Sequence, residues 1–240
     1  MMRLIDSGIC TPLESLALET TIFKARYLDM VPDTLHLYRR DRPTVSIGRF
    51  QSVDECLDTN QAKRRNMSLI RRMSGGSCIY TDENQLIYSI IMSTDNLPKA
   101  RKEIFPFICN GVVQALSNMG ILAEYKAIND VLVNGKKISG SAQIRKKGIL
   151  MQHGTLIMHL DRESMDAVLR PIKERTYPGL TALDEYITLP EWGELKSIIA
   201  SGFEKALNVT MVEENLSDWE TDFLVAEMNR INADVSSSSL

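Results

Sequence analysis

Apolar and polar positions in this chain recur with two periods, and the switches between them mark its elements. Alternating runs rich in β-branched and aromatic residues predict strands at Arg3–Asp6, Thr34–Tyr38, Thr44–Ile47, Met67–Arg72 and Gln85–Met92. Later strands are predicted at Ile121–Tyr125, Asp130–Val133, Ile149–Met158 and, on an edge, Val209–Val212. Helices announce themselves by their starts. Thr11, Pro12 and Glu14 supply a cap, a first-turn proline and a capping-box glutamate. Leu13, Leu16, Ala17, Thr20, Phe23 and Tyr27 then follow at helical spacing, which predicts one buried face. Asp58–Asn66 reads as a polar helix. A longer pattern runs through Ile104, Ile108, Val112, Ala115, Leu116 and Met119, with Pro106 kinking it or delaying its start and Gly120 ending it. Asp161–Leu169 predicts a helix stopped by Pro171, and Tyr177-Pro178-Gly179 a turn. Thr188 with Glu191, and Ser217 with Glu220, are capping pairs ahead of helices reaching about Leu207 and Ile231. The expectation is one α+β domain over residues 1–232, strand hairpins holding a site with helices packed on the sheets, and a disordered serine-rich tail at 233–240.

Composition adds mainly exclusions. At 240 residues, 44% hydrophobic and 25% charged, the chain has ordinary globular character. A net charge of −3 gives no broad basic surface, so nucleic acid is not an expected partner. No apolar run approaches the roughly 18 residues of a membrane span, and MMRLIDSG lacks the form of a secretion signal. The four cysteines, at 10, 56, 78 and 109, form no CxxC pair and no zinc spacing with His36, His153 or His159. A reduced, cytoplasmic protein is the expectation.

Two stretches carry chemistry. Ile70–Ser89 sets Arg71-Arg72 and Gly75-Gly76 between two apolar runs. Glycines let backbone N–H groups approach an anion closely, and a guanidinium supplies a forked donor. The plainer alternative is a glycine turn in a hairpin with two solvated arginines. Asn129–Thr155 holds an Asn134-Gly135 hairpin signal, then Lys136-Lys137, the small run Ser139–Ala142, a Lys147-Gly148 turn and His153-Gly154. Two glycine-containing β elements with convergent basic residues suggest a site for an anionic ligand.

RRMSGGSCIYTDENQLIYS resembles the first signature of lipoate–protein ligases, and NDVLVNGKKISGSAQ followed by HGTL resembles their second. LESLALE at 13–19, IGRFQ at 47–51, DEC at 54–56 and TALDEYI at 181–187 are similar to the family too, so the likeness spans about 205 residues in order. It implies the biotin and lipoate ligase fold, a larger and a smaller sheet enclosing the ligand. It also implies ATP-dependent attachment of lipoate, or a similar acid, to a lysine of a lipoyl-acceptor domain of 2-oxoacid dehydrogenase E2 or glycine-cleavage H protein type, through an acyl-adenylate. Lys137 would be the catalytic contact between carboxylate and α-phosphate, while Lys136, next on a strand, points away. Arg72, Ser77, Cys78, Ile79, Tyr80, Asn129 and Asp130 would bind ATP, with Asp130 holding Mg²⁺. Ser74, Gly75, Gly76, Ser141, Ala142, His153 and Gly154, with Arg72 and Lys137, would line the lipoate site. The bland readings are surface lysines near a hairpin tip, a strand-start capping Asp130 and an interior His153.

The chain departs from the pattern at Ser77, where the family has a third glycine, and at Thr81, where it has a histidine. The accessory C-terminal domain of full-length ligases is not apparent after residue 205, which suggests a separate small accessory protein. Two other classes compete. Octanoyl or lipoyl transferases of the superfamily move the acyl group between carrier proteins without ATP, using a cysteine that AEYKAINDVL does not contain. A non-catalytic lipoyl-domain binding protein is the third.

Overall fold

The computed structural model describes residues 1–170 and 179–237. Strand β1 (Met2–Cys10) enters helix α1 (Pro12–Tyr27) through the expected capping box. Glu14 N–H donates to Thr11 Oγ1 at 3.2 Å, and Thr11 N–H donates to the Glu14 carboxylate at 3.3 Å. Then come β2 (Thr34–Arg40), β3 (Thr44–Ile47), the short helices α2 (Val53–Cys56) and α3 (Thr59–Arg64), β4 (Ser68–Arg71), β5 (Ile79–Thr81) and β6 (Gln85–Ser93). They are followed by α4 (Ile104–Asn118), β7 (Ala123–Lys126), β8 (Asp130–Val133), β9 (Lys136–Lys146) and β10 (Ile149–Ile157). Helices α5 (Arg162–Val168) and α6 (Trp192–Leu207), strand β11 (Met211–Glu213) and helix α7 (Asp218–Ser237) complete the described chain.

The strands make an α+β fold with a larger and a smaller sheet. The larger runs β11-β1-β2-β6-β10-β9-β8-β7, and the smaller β4-β3-β5. The centre of the large sheet is covered on both sides, which is why β6 is a nearly unbroken apolar run with Gln85–Met92 all buried. Leu86, Tyr88, Ile90 and Met92 face the core built with α4 and α6, while Ile87 and Ile91 pack against residues of α1. Helices α4 and α6 approach closely where Gly111 receives the Phe203 ring: a Cβ there would stand 2.2 Å from a ring carbon. The two-residue turns at Asn134-Gly135 and Lys147-Gly148 take positive φ at all four residues, matching the hairpins expected from their sequence.

Four local expectations change. The buried residues of α1 are Pro12, Ser15, Ala17, Leu18, Glu19, Thr21, Ile22 and Ala25, so of the expected stripe Ala17 is buried and Phe23 and Tyr27 pack at its edge. A glutamate and a serine also sit on the inward face, which apolar spacing alone does not show. Arg71-Arg72 and Gly75-Gly76 do not form a hairpin between β4 and β6: β5 intervenes and pairs with β3, and the two flanking strands lie in different sheets. Helix α6 begins after Glu191 with no side-chain cap, so Thr188 and Glu191 are not a capping box. Helix α7 continues to Ser237, into the stretch expected as a tail. The stop at Pro171, the turn residues Tyr177-Pro178 and the end of the tail at 238–240 lie outside the described residues.

Candidate active site

A cavity of about 620 Å³ lies between the two sheets. From the loop around the small sheet it is lined by Arg72, Gly76, Ser77, Cys78, Ile79 and Tyr80. From the large sheet it is lined by Lys137, Ser141, Ala142, His153 and Gly154, with Asn129 at the entry to β8. These residues, far apart in sequence, are thus brought to one place. Ser74 and Asp130 are buried and, like the half-buried Gly75, are not among the lining residues. Ile87, Ile157, Leu160, Met165, Leu169 and Leu180 give the remaining surface much of its apolar character, with Gln85, Asp166 and Arg170 among them. Glu19, Tyr38 and Arg40 also line it, and sequence reasoning missed all three. Glu19 had a signal, since it ends the LESLALE run.

Lys137 owes its position to an irregularity in β9. The register against β8 shifts between Val131 and Leu132: Lys137 pairs with Leu132, but Ser139 pairs with Val131 and Gly140 with Asp130. One extra residue in the bulged strand changes which side chains share a face. Lys137 consequently leans over Gly140, and its Nζ reaches Asp130 at 2.7 Å. A Cβ on Gly140 would meet that Nζ at 2.4 Å, so the glycine provides the room the lysine occupies. Lys137 is also tied by its backbone, with N–H to Gly179 O and O from Thr181 N–H, both at 3.0 Å. Lys136 points outward, about half exposed, 4.0 Å from Glu185.

Arg72 is buried, and burial brings its guanidinium down to about 10. Its donors go to protein acceptors: Ser46 O at 2.8 Å, Gly75 O and Ser77 O at 2.7 Å, and Ser74 Oγ at 3.1 Å. Arg72 therefore holds the glycine loop in shape. Gly76 sits at φ +87°, a conformation that disfavours any residue with a Cβ. Asp130 faces the Lys137 ammonium rather than an open cation position. Among the described residues no group of three His, Cys, Asp or Glu side chains could hold a metal ion.

His153 bridges inward. Its Nε2 lies 2.5 Å from Ser74 Oγ and its Nδ1 2.9 Å from both Glu19 oxygens. Glu19 also accepts from Tyr38 OH at 3.2 Å and Ser89 Oγ at 2.5 Å. Burial alone would raise this carboxyl; the charge and hydrogen bonding of His153, with Ser89, outweigh it and bring it down to about 2. Cys78 lines the cavity, but its thiol donates to Cys56 O at 3.3 Å and burial pushes it up to about 12. Thr81, in the place of the family histidine, is buried and takes a hydrogen bond from Arg40.

Residues 11–189 match the family model of the lipoyl protein ligase A/B catalytic domain. The chain belongs to that family. Its fold recurs in solved structures. A bi-partite lipoate protein ligase from Thermoplasma acidophilum superposes with a TM-score of 0.82 at 23% identity, covering 95% of this chain and 92% of the other. A lipoate-protein ligase A bound with ATP gives 0.82, also at 23%, with 95% and 94% covered. Among curated relatives, the octanoyltransferase LipM of Anoxybacillus flavithermus is 28% identical over 91% of this chain and 90% of its own length. The LipM enzymes of Oceanobacillus iheyensis, at 29% over 90% and 89%, and of Bacillus subtilis, at 28% over 92% and 92%, are similar to the same extent.

These relatives overturn the expectation of ATP-dependent ligation. The curated relatives at 28% and 29% identity are octanoyltransferases, whereas the ligases are alike in fold at 23%. In the structure Arg72 donates to loop carbonyls and Asp130 pairs with Lys137.

Proposed function

We propose that this chain is an acyltransferase that moves an octanoyl or closely related medium-chain acyl group from a carrier protein to a lysine of a lipoyl-acceptor domain. The supporting observation is the lining of the cavity: apolar side chains such as Ile87, Ile157, Leu160, Met165 and Leu180 share it with Lys137, whose ammonium pairs with Asp130. An extended acyl tail fits the apolar part, and its thioester carbonyl then faces the ammonium. The near-complete match to octanoyltransferases favours this acyl class.

In this reading the acceptor lysine amine attacks the thioester carbon. Negative charge grows on the carbonyl oxygen, where Lys137 donates, held at that spot by Asp130. The C–S bond breaks, the carrier thiolate leaves, and the proton shed by the amine ends on it. The balance closes with no further reactant. Burial disfavours a thiolate at Cys78, which donates to Cys56 O, and at Cys109 beside Ser141, so in this reading the acyl group passes directly to the amine.

The test is to incubate the chain alone with octanoylated carrier protein and a lipoyl domain, with and without ATP and Mg²⁺. Transfer without ATP, and no acyl adduct in the intact mass of the enzyme, is the expected result. Acyl attachment that starts from free acid and requires ATP would overturn the reading.

A further inference from the structure

Glu19 is an expensive residue to place on the inward face of α1. A buried carboxylate is tolerated only with good partners, and an apolar residue would serve the packing of that helix equally well. Its partners show a purpose beyond packing. We propose that Glu19 is a positioning residue of the acyl site, acting through His153 and Ser74 on the Arg72 loop; this rests on the acyltransferase reading for what the site does.

For a neutral imidazole the hydrogen bonds run in one direction. An ionised Glu19 accepts and cannot donate, so Nδ1 of His153 carries the hydrogen toward it at 2.9 Å. In the neutral imidazole Nε2 is then bare and takes the Ser74 hydroxyl hydrogen at 2.5 Å. Ser74 Oγ in turn accepts from Arg72 Nε at 3.1 Å. The remaining Arg72 donors fix Ser46, Gly75 and Ser77 through their carbonyls, and Ser74 O accepts Arg49 N–H at 2.9 Å. The relay starts on a helix, passes through β10 of the large sheet and ends on the loop of the small sheet. Glu19, His153, Arg72 and Gly76 all line the cavity, so the relay sets the spacing of its two walls. Ser74 itself is 1% exposed and sits behind the wall, which makes it a link and not a group that meets substrate.

Glu19→Gln tests this directly. With its N–H₂ toward Nδ1 the amide moves the hydrogen of His153 to Nε2, so that Ser74 Oγ accepts from both His153 and Arg72 and turns its own hydrogen to Gly75 O. We expect ¹⁵N imidazole spectra of the purified chain to show His153 protonated at Nδ1 in the native protein and at Nε2 in Glu19→Gln. With octanoylated carrier and lipoyl domain, kcat should fall at least 10-fold while KM for the donor stays within 3-fold. Glu19→Gln with Ser74→Ala should be no worse than the poorer single variant, because both break the same series. The inference is overturned by native His153 protonated at Nε2, by multiplicative losses, by an activity loss that merely follows a drop in Tm, or by an acyl group trapped on Ser74. Should the native chain transfer no acyl group, the acyltransferase reading falls, while the imidazole spectra still decide whether Glu19 sets the histidine.

Discussion

At the scale of single residues, two neighbours on β9 illustrate how little local sequence says about role. Lys136 and Lys137 are chemically identical, yet one is exposed near Glu185 and the other is partly buried against Asp130. If Lys137 faces the developing oxyanion, Lys137→Ala should lower kcat about 10²–10³-fold, the effect typical of removing one such donor. Lys136→Ala should stay within 3-fold. Equal effects would refute the assignment. Gly140→Ala gives a complementary probe without removing the charge. Its Cβ would displace Nζ from 2.4 Å, so activity should fall while the melting temperature moves by a few degrees at most. A Gly140→Ala enzyme of native activity would show that the lysine works from another position.

At the scale of elements, helix α7 is attached to the sheet by one buried pair. Arg3 on β1 donates twice to Glu220, both at 2.7 Å, and neither side chain is more than 1% exposed. Glu220 also accepts from Ser217 N–H and Oγ, completing the capping box expected from the sequence. Removing one partner of such a pair leaves a buried charge uncompensated, at a cost of about 3–5 kcal/mol. Glu220→Ala should therefore lose that much stability in denaturant melts, and Arg3→Met with Glu220→Leu should recover a good part of it. A Glu220→Ala loss under about 1 kcal/mol would mean that α7 is held by its apolar contacts alone.

At the scale of the whole molecule, buried ionisable groups tie stability to pH. His36 is buried beside Ser7, and burial lowers it from 6.5 to about 4. The folded state thus binds fewer protons than the unfolded one, so this contribution is complete above pH 6.5 and is lost as pH falls towards 4. At full extent it is on the order of 3 kcal/mol. Glu19 acts lower: its stabilisation is complete above about 4.5 and is lost as pH falls towards 2. Thermal melts should therefore decline from pH 7 to 4, and His36→Gln should flatten that part of the profile. A flat native profile over this range would exclude the His36 contribution.

Much of the chain was legible from its sequence for a simple physical reason: capping boxes, hairpin glycines and strand alternation depend on residues within a few positions of one another. Thr11 with Glu14, Ser217 with Glu220, Asn134-Gly135 and the run in β6 all specified their elements, and the paired signatures specified the family. The candidate cavity residues from 72 to 80 and from 129 to 154 were also visible, as two glycine-containing β stretches. What only the tertiary structure decided depends on distant partners. It placed Glu19 against His153, 134 residues away, and put that carboxylate on the inward face of α1. It separated β4 from β6 into two sheets, making a cavity wall of what read as a hairpin. It committed Arg72 to loop carbonyls, and the β9 bulge gave Lys137 its direction. Local pattern states which residues can bear a charge; packing across the fold decides which charges face the cavity and which only hold its walls.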